Sequence, residues 1–181
     1  PLFDRYQVVA SGGTTGQQGI AVYDPHAWQT AMVAFQRAMA MQGITPATRV
    51  IGIGSPSPLH MTYRLFGSVR DKRTGVPRIS LTTPIAEVVE AVNAFQPEVV
   101  TTYPSFVRRL AEEQQSGRLR IAPRQFVSTA ETLTADVREV ARDTWGALVL
   151  NAYGATEVNL IGAECTHACG AHVPDDLILL E

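Results

Sequence analysis

Between residues 49 and 151 the chain repeats one pattern, a short β-branched apolar run followed by a stretch with helical periodicity. Few architectures are compatible with it. Antiparallel neighbours need only a tight hairpin, whereas a helix-length connection is what joins parallel strands. The spacing predicts strands at 49–54, 78–81, 98–102, 125–129 and 147–151, with helices at 58–69, 84–95, 104–115 and 134–145 between them. Within 84–95, Ile85, Val88, Val89 and Val92 share one face. The strands are continuously apolar rather than alternating, so they require cover on both faces. The expectation is an α/β fold: a doubly wound, mainly parallel sheet with crossover helices on both faces. Ahead of it lie a predicted strand at 6–10, a polar loop at 11–19 and a helix at 24–42. Asp24 before Pro25 is a suitable helix start, and Gly43 a suitable stop.

Composition narrows the function. The 181 residues suffice for one sizeable core. The net charge is −2, with 15 basic and 17 acidic residues mixed along the chain, so no basic face is expected and no nucleic-acid partner with it. No long apolar run and no leader-like N-terminus predict a membrane association, and a cytoplasmic location is expected. A homo-oligomer is left open. Cys165 and Cys169 are too close together to make a disulfide framework.

In open parallel sheets, ligands sit at the carboxyl ends of the strands. Four polar segments follow predicted strands here: 55–60, 101–105, 128–132 and 153–157. Two motifs carry the most chemistry. In the first, Ser11, Gly12, Gly13, Thr14, Thr15 and Gly16 combine permissive backbone with hydroxyl donors, a basket suited to phosphate oxygens. It lacks the lysine and spacing of a Walker loop. Read alone, it is equally a flexible hairpin. In the second, Asn151, Tyr153, Gly154, Thr156 and Glu157 offer an aromatic face, a tight turn, a hydroxyl and a carboxylate able to hold a hard cation. Read alone, that is also a packed tyrosine beside a solvated glutamate. A third cluster, Cys165, His167, Cys169 and His172, has the donor chemistry of zinc. One octapeptide does not readily wrap a tetrahedron, so either a further ligand joins it or these are packing and turn residues.

Taken in order, these motifs resemble the adenylate-forming superfamily of acyl-CoA synthetases, adenylation domains and luciferases. SGGTTGQQG at 11–19 resembles its phosphate loop, and NAYGATE at 151–157 its Tyr-Gly-x-Thr-Glu motif. STAETL at 128–133 resembles the segment bordering adenine and the acyl pocket, and SPLH at 57–60 the segment that gates that pocket. The tail from Glu164–Cys165 through Gly170-Ala171-His172 to Asp175–Asp176 is similar to the phenylacetate–CoA ligase branch, as is TTYPSF at 101–106.

The resemblance implies ATP-dependent, magnesium-assisted activation of a carboxylic, aryl-type acid as acyl-adenylate, then thioester formation with CoA. The alternatives are loading of a carrier-protein phosphopantetheine, or a non-catalytic nucleotide-binding homologue. It implies that Ser11 to Gly16 cradle phosphates, that Tyr153 stacks on adenine, and that Asn151, Gly154, Ala130 and Glu131 border it. Thr156 would contact the α-phosphate, Glu157 would hold magnesium, and His60 and Tyr103 would line the acyl pocket with Ala130 and Tyr153. Zinc on Cys165, Cys169 and His172 would be separate from that chemistry. Gln17 stands where the family usually has lysine. Residues 1–181 are then expected to be the ATP/acid-binding portion of a large N-terminal domain. The C-terminal lid would lie outside this chain, which alone would not be fully active.

Overall fold

The computed structural model describes residues 3, 5–12, 18–68, 76–167 and 170–180. A small antiparallel ribbon opens the fold, β1 (Gln7–Ala10) against β2 (Ile20–Tyr23). Helix α1 (Pro25–Met41) starts as the sequence predicts. The Asp24 carboxylate accepts the Ala27 N–H at 2.8 Å, and proline occupies the first turn. The helix ends where the Gln42 N–H donates to the Ala38 carbonyl, and Gly43 takes φ +68°.

The main sheet follows: β3 (Val50–Gly54), α2 (Met61–Ser68), β4 (Arg78–Ser80), α3 (Ile85–Phe95), β5 (Val99–Thr102), α4 (Pro104–Gln115), β6 (Gln125–Ser128), α5 (Ala135–Trp145), β7 (Leu148–Ala155), β8 (Asn159–Glu164) and β9 (Ala171–His172). Its seven strands lie in the order β4-β3-β5-β6-β7-β8-β9. Pairing is parallel from β4 to β7 and antiparallel from β7 to β9. The expected α/β, mainly parallel architecture is therefore the observed one.

Both faces are covered, as the apolar strands require. On one face Ile51, Ile53, Val100, Phe126 and Val149 pack against Val88 and Val92 of α3, Phe106 and Leu110 of α4, and Val137 and Ala141 of α5. On the other, Val50, Val99 and Val127 meet Ile44 and Met39 beneath α1. From β3 the chain steps outward to β4, then returns past β3 to β5. The topological switch point therefore lies between β3 and β5, and a crevice opens at their carboxyl ends.

Two boundaries are displaced from the sequence expectation by more than one residue, and three strands are new. Helix α2 begins at Met61 rather than 58, because the preceding residues form a turn in which the His60 N–H donates to Ser57 O at 3.1 Å. Strand β7 runs to Ala155 instead of stopping at 151, with a register shift at Tyr153/Gly154 as it pairs with β8. Strands β2, β8 and β9 were not anticipated. β2 and β9 are short and β8 follows the bulge in β7, and each is held by its antiparallel neighbour.

Candidate active site

The parallel register carries the four polar segments to one edge. Gly52 is opposite Thr101, Thr102 opposite Ser128, and Ser128 opposite Asn151, so the segments after β3, β5 and β6 and the outer end of β7 open side by side. Beneath them is a cavity of ≈ 270 Å³ between α1, α2 and the sheet. Gly12, His60, Ala130, Gly154 and Thr156, five of the residues singled out in the sequence, line it.

The described ends of the 11–19 loop are pinched together. The Ser11 N–H donates to Gly19 O at 2.9 Å, and the Gly19 N–H donates to Ser11 Oγ at 2.8 Å. Gly13, Thr14, Thr15 and Gly16, together with Gln17, lie outside the described residues. The base of the loop meets the second motif: a side chain at Gly19 would come within 3.8 Å of Glu157 Oε1. A further tie is the Tyr23 hydroxyl, which donates to Thr156 O at 2.8 Å. Burial first, then the Glu157 charge, pushes the Tyr23 pKa up to about 12. Two motifs more than 130 residues apart in the chain are thus fastened together.

Within β7, Gly154 is dictated by its neighbours. The bulge brings the Asn159 carbonyl so close that a Cβ there would overlap its oxygen and lie 3.1 Å from its carbon. Asn159 itself has φ +67°, is buried, and donates from Nδ2 to Ala31 O at 2.8 Å, tying the β7–β8 hairpin to α1. Tyr153 is 60% exposed, leaving its ring face open at the sheet edge. Asn151 lies just below, its N–H donating to Glu164 Oε2 at 2.7 Å. Glu164 also takes two bonds from Arg138 Nη2, at 2.9 and 3.0 Å. Glu157 is exposed and, among the described residues, makes no ion pair.

After β6, Ala130 takes φ +69°, a conformation unusual for a residue with a Cβ. Glu131 turns back to α4, where its oxygens accept the Ser105 N–H at 3.0 Å and the Ser105 hydroxyl at 2.9 Å. A carboxylate at this helix start satisfies a free N–H and the helix dipole. Tyr103 is half-buried and stands outside the cavity lining. Burial first and then Glu131 raise its pKa, against a Ser55 backbone hydrogen bond and Arg78. His60 lines the cavity with Nδ1 2.9 Å from Thr62 Oγ1, and burial, then Arg78, lower its pKa, which favours the neutral ring.

Sequence reasoning missed several neighbours. Phe35 and Phe66 form an edge-to-face pair in the lining, centroids 5.2 Å apart. Arg78 bonds Thr62 O at 2.8 Å and lies 4.5 Å over the Tyr63 ring, half-buried beside His60 and Tyr103. Gln42 reaches the cavity from the end of α1. Only the apolar periodicity of α1 hinted at any of these, and periodicity does not say which space a face borders.

The cysteine–histidine cluster is partly described, since Cys169 lies outside the described residues. Cys165 Sγ is 3.7 Å from His167 Nδ1. A hydrogen bond with the His172 ring, then the backbone and ring of His167, hold the Cys165 thiol down at about 6. Among the described residues, no group of three or more His, Cys, Asp or Glu is placed to hold a metal ion. Nor is any helix among them long and apolar enough to cross a membrane.

A cavity at the switch point, bordered by these two motifs, is the arrangement expected of an adenylate-forming domain. Residues 4–177 match the AMP-binding enzyme family, and the chain belongs to that family. It is 26% identical over 199 residues to a phenylacetate-coenzyme A ligase of Thermus thermophilus, an alignment taking in 100% of this chain and 42% of the relative. The chain thus spans less than half the length of that protein. Among solved structures, 2-hydroxyisobutyryl-CoA ligase with 2-HIB-AMP and CoA superposes with a TM-score of 0.75 at 16% identity, covering 94% of this chain and 41% of that one. The anthranilate CoA ligase AuaEII with anthranoyl-AMP gives 0.65 at 14% identity, covering 90% and 32%.

Proposed function

We propose that this chain is the ATP- and acid-binding part of an AMP-forming acid–CoA ligase acting on an aryl acid. The observation that carries the reading is the meeting of the 11–19 loop base with Thr156 and Glu157 over an apolar cavity at the switch point. A carboxylic acid seated in that cavity presents its carboxylate outward, toward the strand ends where a nucleotide would lie. Alignment of that carboxylate with the α-phosphate is most of what the first step requires.

In this reading the loop N–H and hydroxyl groups of Ser11 to Gly16 hold the terminal phosphates, and Thr156 donates to the α-phosphate. The exposed Tyr153 face takes the adenine, bordered by Asn151, Gly154, Ala130 and Glu131. Glu157, an unpaired carboxylate among the described residues and next to the loop base, fits a magnesium ligand. That ion would neutralise phosphate charge. The Phe35–Phe66 pair in the lining favours a ring-bearing acid. His60 stands at the cavity as an uncharged gate that would not trap the carboxylate as a salt.

The test is acid-dependent exchange of pyrophosphate into ATP over a panel of aryl and aliphatic acids. Exchange with ring-bearing acids is expected, and its absence with every acid would remove the proposal. Product analysis with free CoA and with a phosphopantetheinyl carrier then identifies the acceptor.

A further inference from the structure

We infer that Gln42 makes this site selective for acids with a hydroxyl group at the end remote from the carboxylate. The inference rests on the acid-activation reading and names the substrate class within it.

The cavity has two distinct ends. Its mouth is formed by Gly12, Ala130, Gly154 and Thr156 at the carboxyl ends of the strands. Its floor is formed by Met39, Gln42, Ile44 and Val50. Val50 is the first residue of β3 and Gly54 the last, so the floor lies roughly 13 Å below the strand ends at about 3.3 Å per residue. An acid long enough to span that depth, with its carboxylate at the mouth, brings its far end to Gln42.

Gln42 is an unusual residue to find there. It is 2% exposed, and its Nε2 is buried without a hydrogen-bond partner. Met39, Ile44 and Val50 around it on the floor offer no polar side chain. Capping does not explain it either, because the backbone N–H of Gln42 already closes α1 onto Ala38 O. Three other polar side chains deep in the lining are satisfied within the protein. Thr101 Oγ1 donates to Ile51 O at 3.4 Å, Asn159 Nδ2 to Ala31 O at 2.8 Å, and His60 pairs with Thr62 at 2.9 Å. Buried polar groups normally have partners, and a primary amide left without one beside an empty space calls for one from a ligand.

The chemistry of that partner follows from the lining. Among the described residues no Lys, Arg, Asp or Glu lines the cavity, so a second carboxylate or an amine at the far end would be buried without a counter-charge. A neutral oxygen remains. The Gln42 amide carries both a donor and an acceptor, and a hydroxyl can serve either one, whichever way the amide is turned. Acids ending in a plain ring or methyl group would leave the amide unpaired in the complex, and a site of that kind rejects them.

The experiment is pyrophosphate exchange by the protein with matched acids. Arylacetic and straight-chain pairs would differ only by a ring or terminal hydroxyl, and would be assayed with wild type, Gln42→Leu and Gln42→Met. Wild type should favour the hydroxylated partner by about tenfold or more in kcat/KM, and both variants should lose or invert that preference. Equal use of both partners by wild type overturns the inference, whatever the variants do. A preference that survives in either active variant overturns the assignment to Gln42. Exchange with no acid at all removes the acid-activation reading and this inference with it.

Discussion

Replacing Tyr23 with phenylalanine tests the fastening between the two site motifs. Tyr23 is 6% exposed, and its hydroxyl donates to Thr156 O at 2.8 Å. At neutral pH the loss of one such bond should destabilise the protein by about 1 kcal/mol. The alkaline limb makes the test sharper. Burial and Glu157 raise the Tyr23 pKa from 10.0 to about 12, so the folded state holds the proton more tightly than the unfolded chain does. The sign follows: this contribution is fully present below pH 10 and is lost as pH rises through about 12. A proton retained over that interval corresponds to roughly 3 kcal/mol. Wild type should therefore start about 1 kcal/mol more stable than Tyr23→Phe, lose the advantage, and fall below the variant between about pH 10.5 and 11. Urea unfolding of both proteins from about pH 8 upward measures the difference at each pH and cancels the other titrating groups. A difference that stays constant with pH would show that Tyr23 is not buried against Thr156 and Glu157, and the site as described would be wrong.

Three further outcomes are expected. Glu164→Ala removes the acceptor of two Arg138 bonds and of the Asn151 N–H. Because the glutamate side chain is 13% exposed and Arg138 36%, the variant should lose about 2 kcal/mol in urea unfolding, with much of that loss absent in an Arg138→Leu background. Gly154→Ala drives a Cβ into the Asn159 backbone and should destabilise by about 3 kcal/mol or more, whereas the same change at Gly117 meets nothing within 4 Å but is strained by its φ of +76° and should lose only about 1 kcal/mol. Glu157→Gln should leave the unfolding midpoint nearly unchanged, lower the Tyr23 pKa, and reduce acid-dependent pyrophosphate exchange on the order of 10- to 100-fold. Wild-type exchange in that variant would remove Glu157 from the metal role.

The parallel core was legible because each of its strands carries its own signal. A run such as Val99–Thr102 puts a valine on each face and lies between a helix end and a helix start, and those are local properties of the chain. Asp24 and Gly43 marked the ends of α1 for the same reason, through a carboxylate cap and a positive φ. The motifs at 11–19 and 151–157 could likewise be read as a donor-rich loop and a strand-end cluster. What the residue order could not state was that they touch. That contact depends on the β3–β5 switch, on the register from Gly52 across to Asn151, and on Tyr23 in a ribbon whose second strand has only four residues. The course of β7 beyond Asn151 was hidden for a related reason: its pairing with β8 requires a bulge at Gly154, and a bulge breaks the period-two pattern on which strand reading depends. Gln42 shows the same division. By sequence it is the polar last residue of a predicted amphipathic helix. Only the packing of α1 over β3 turns it into a buried amide at the end of a cavity, because burial belongs to the space between elements and no single element encodes it.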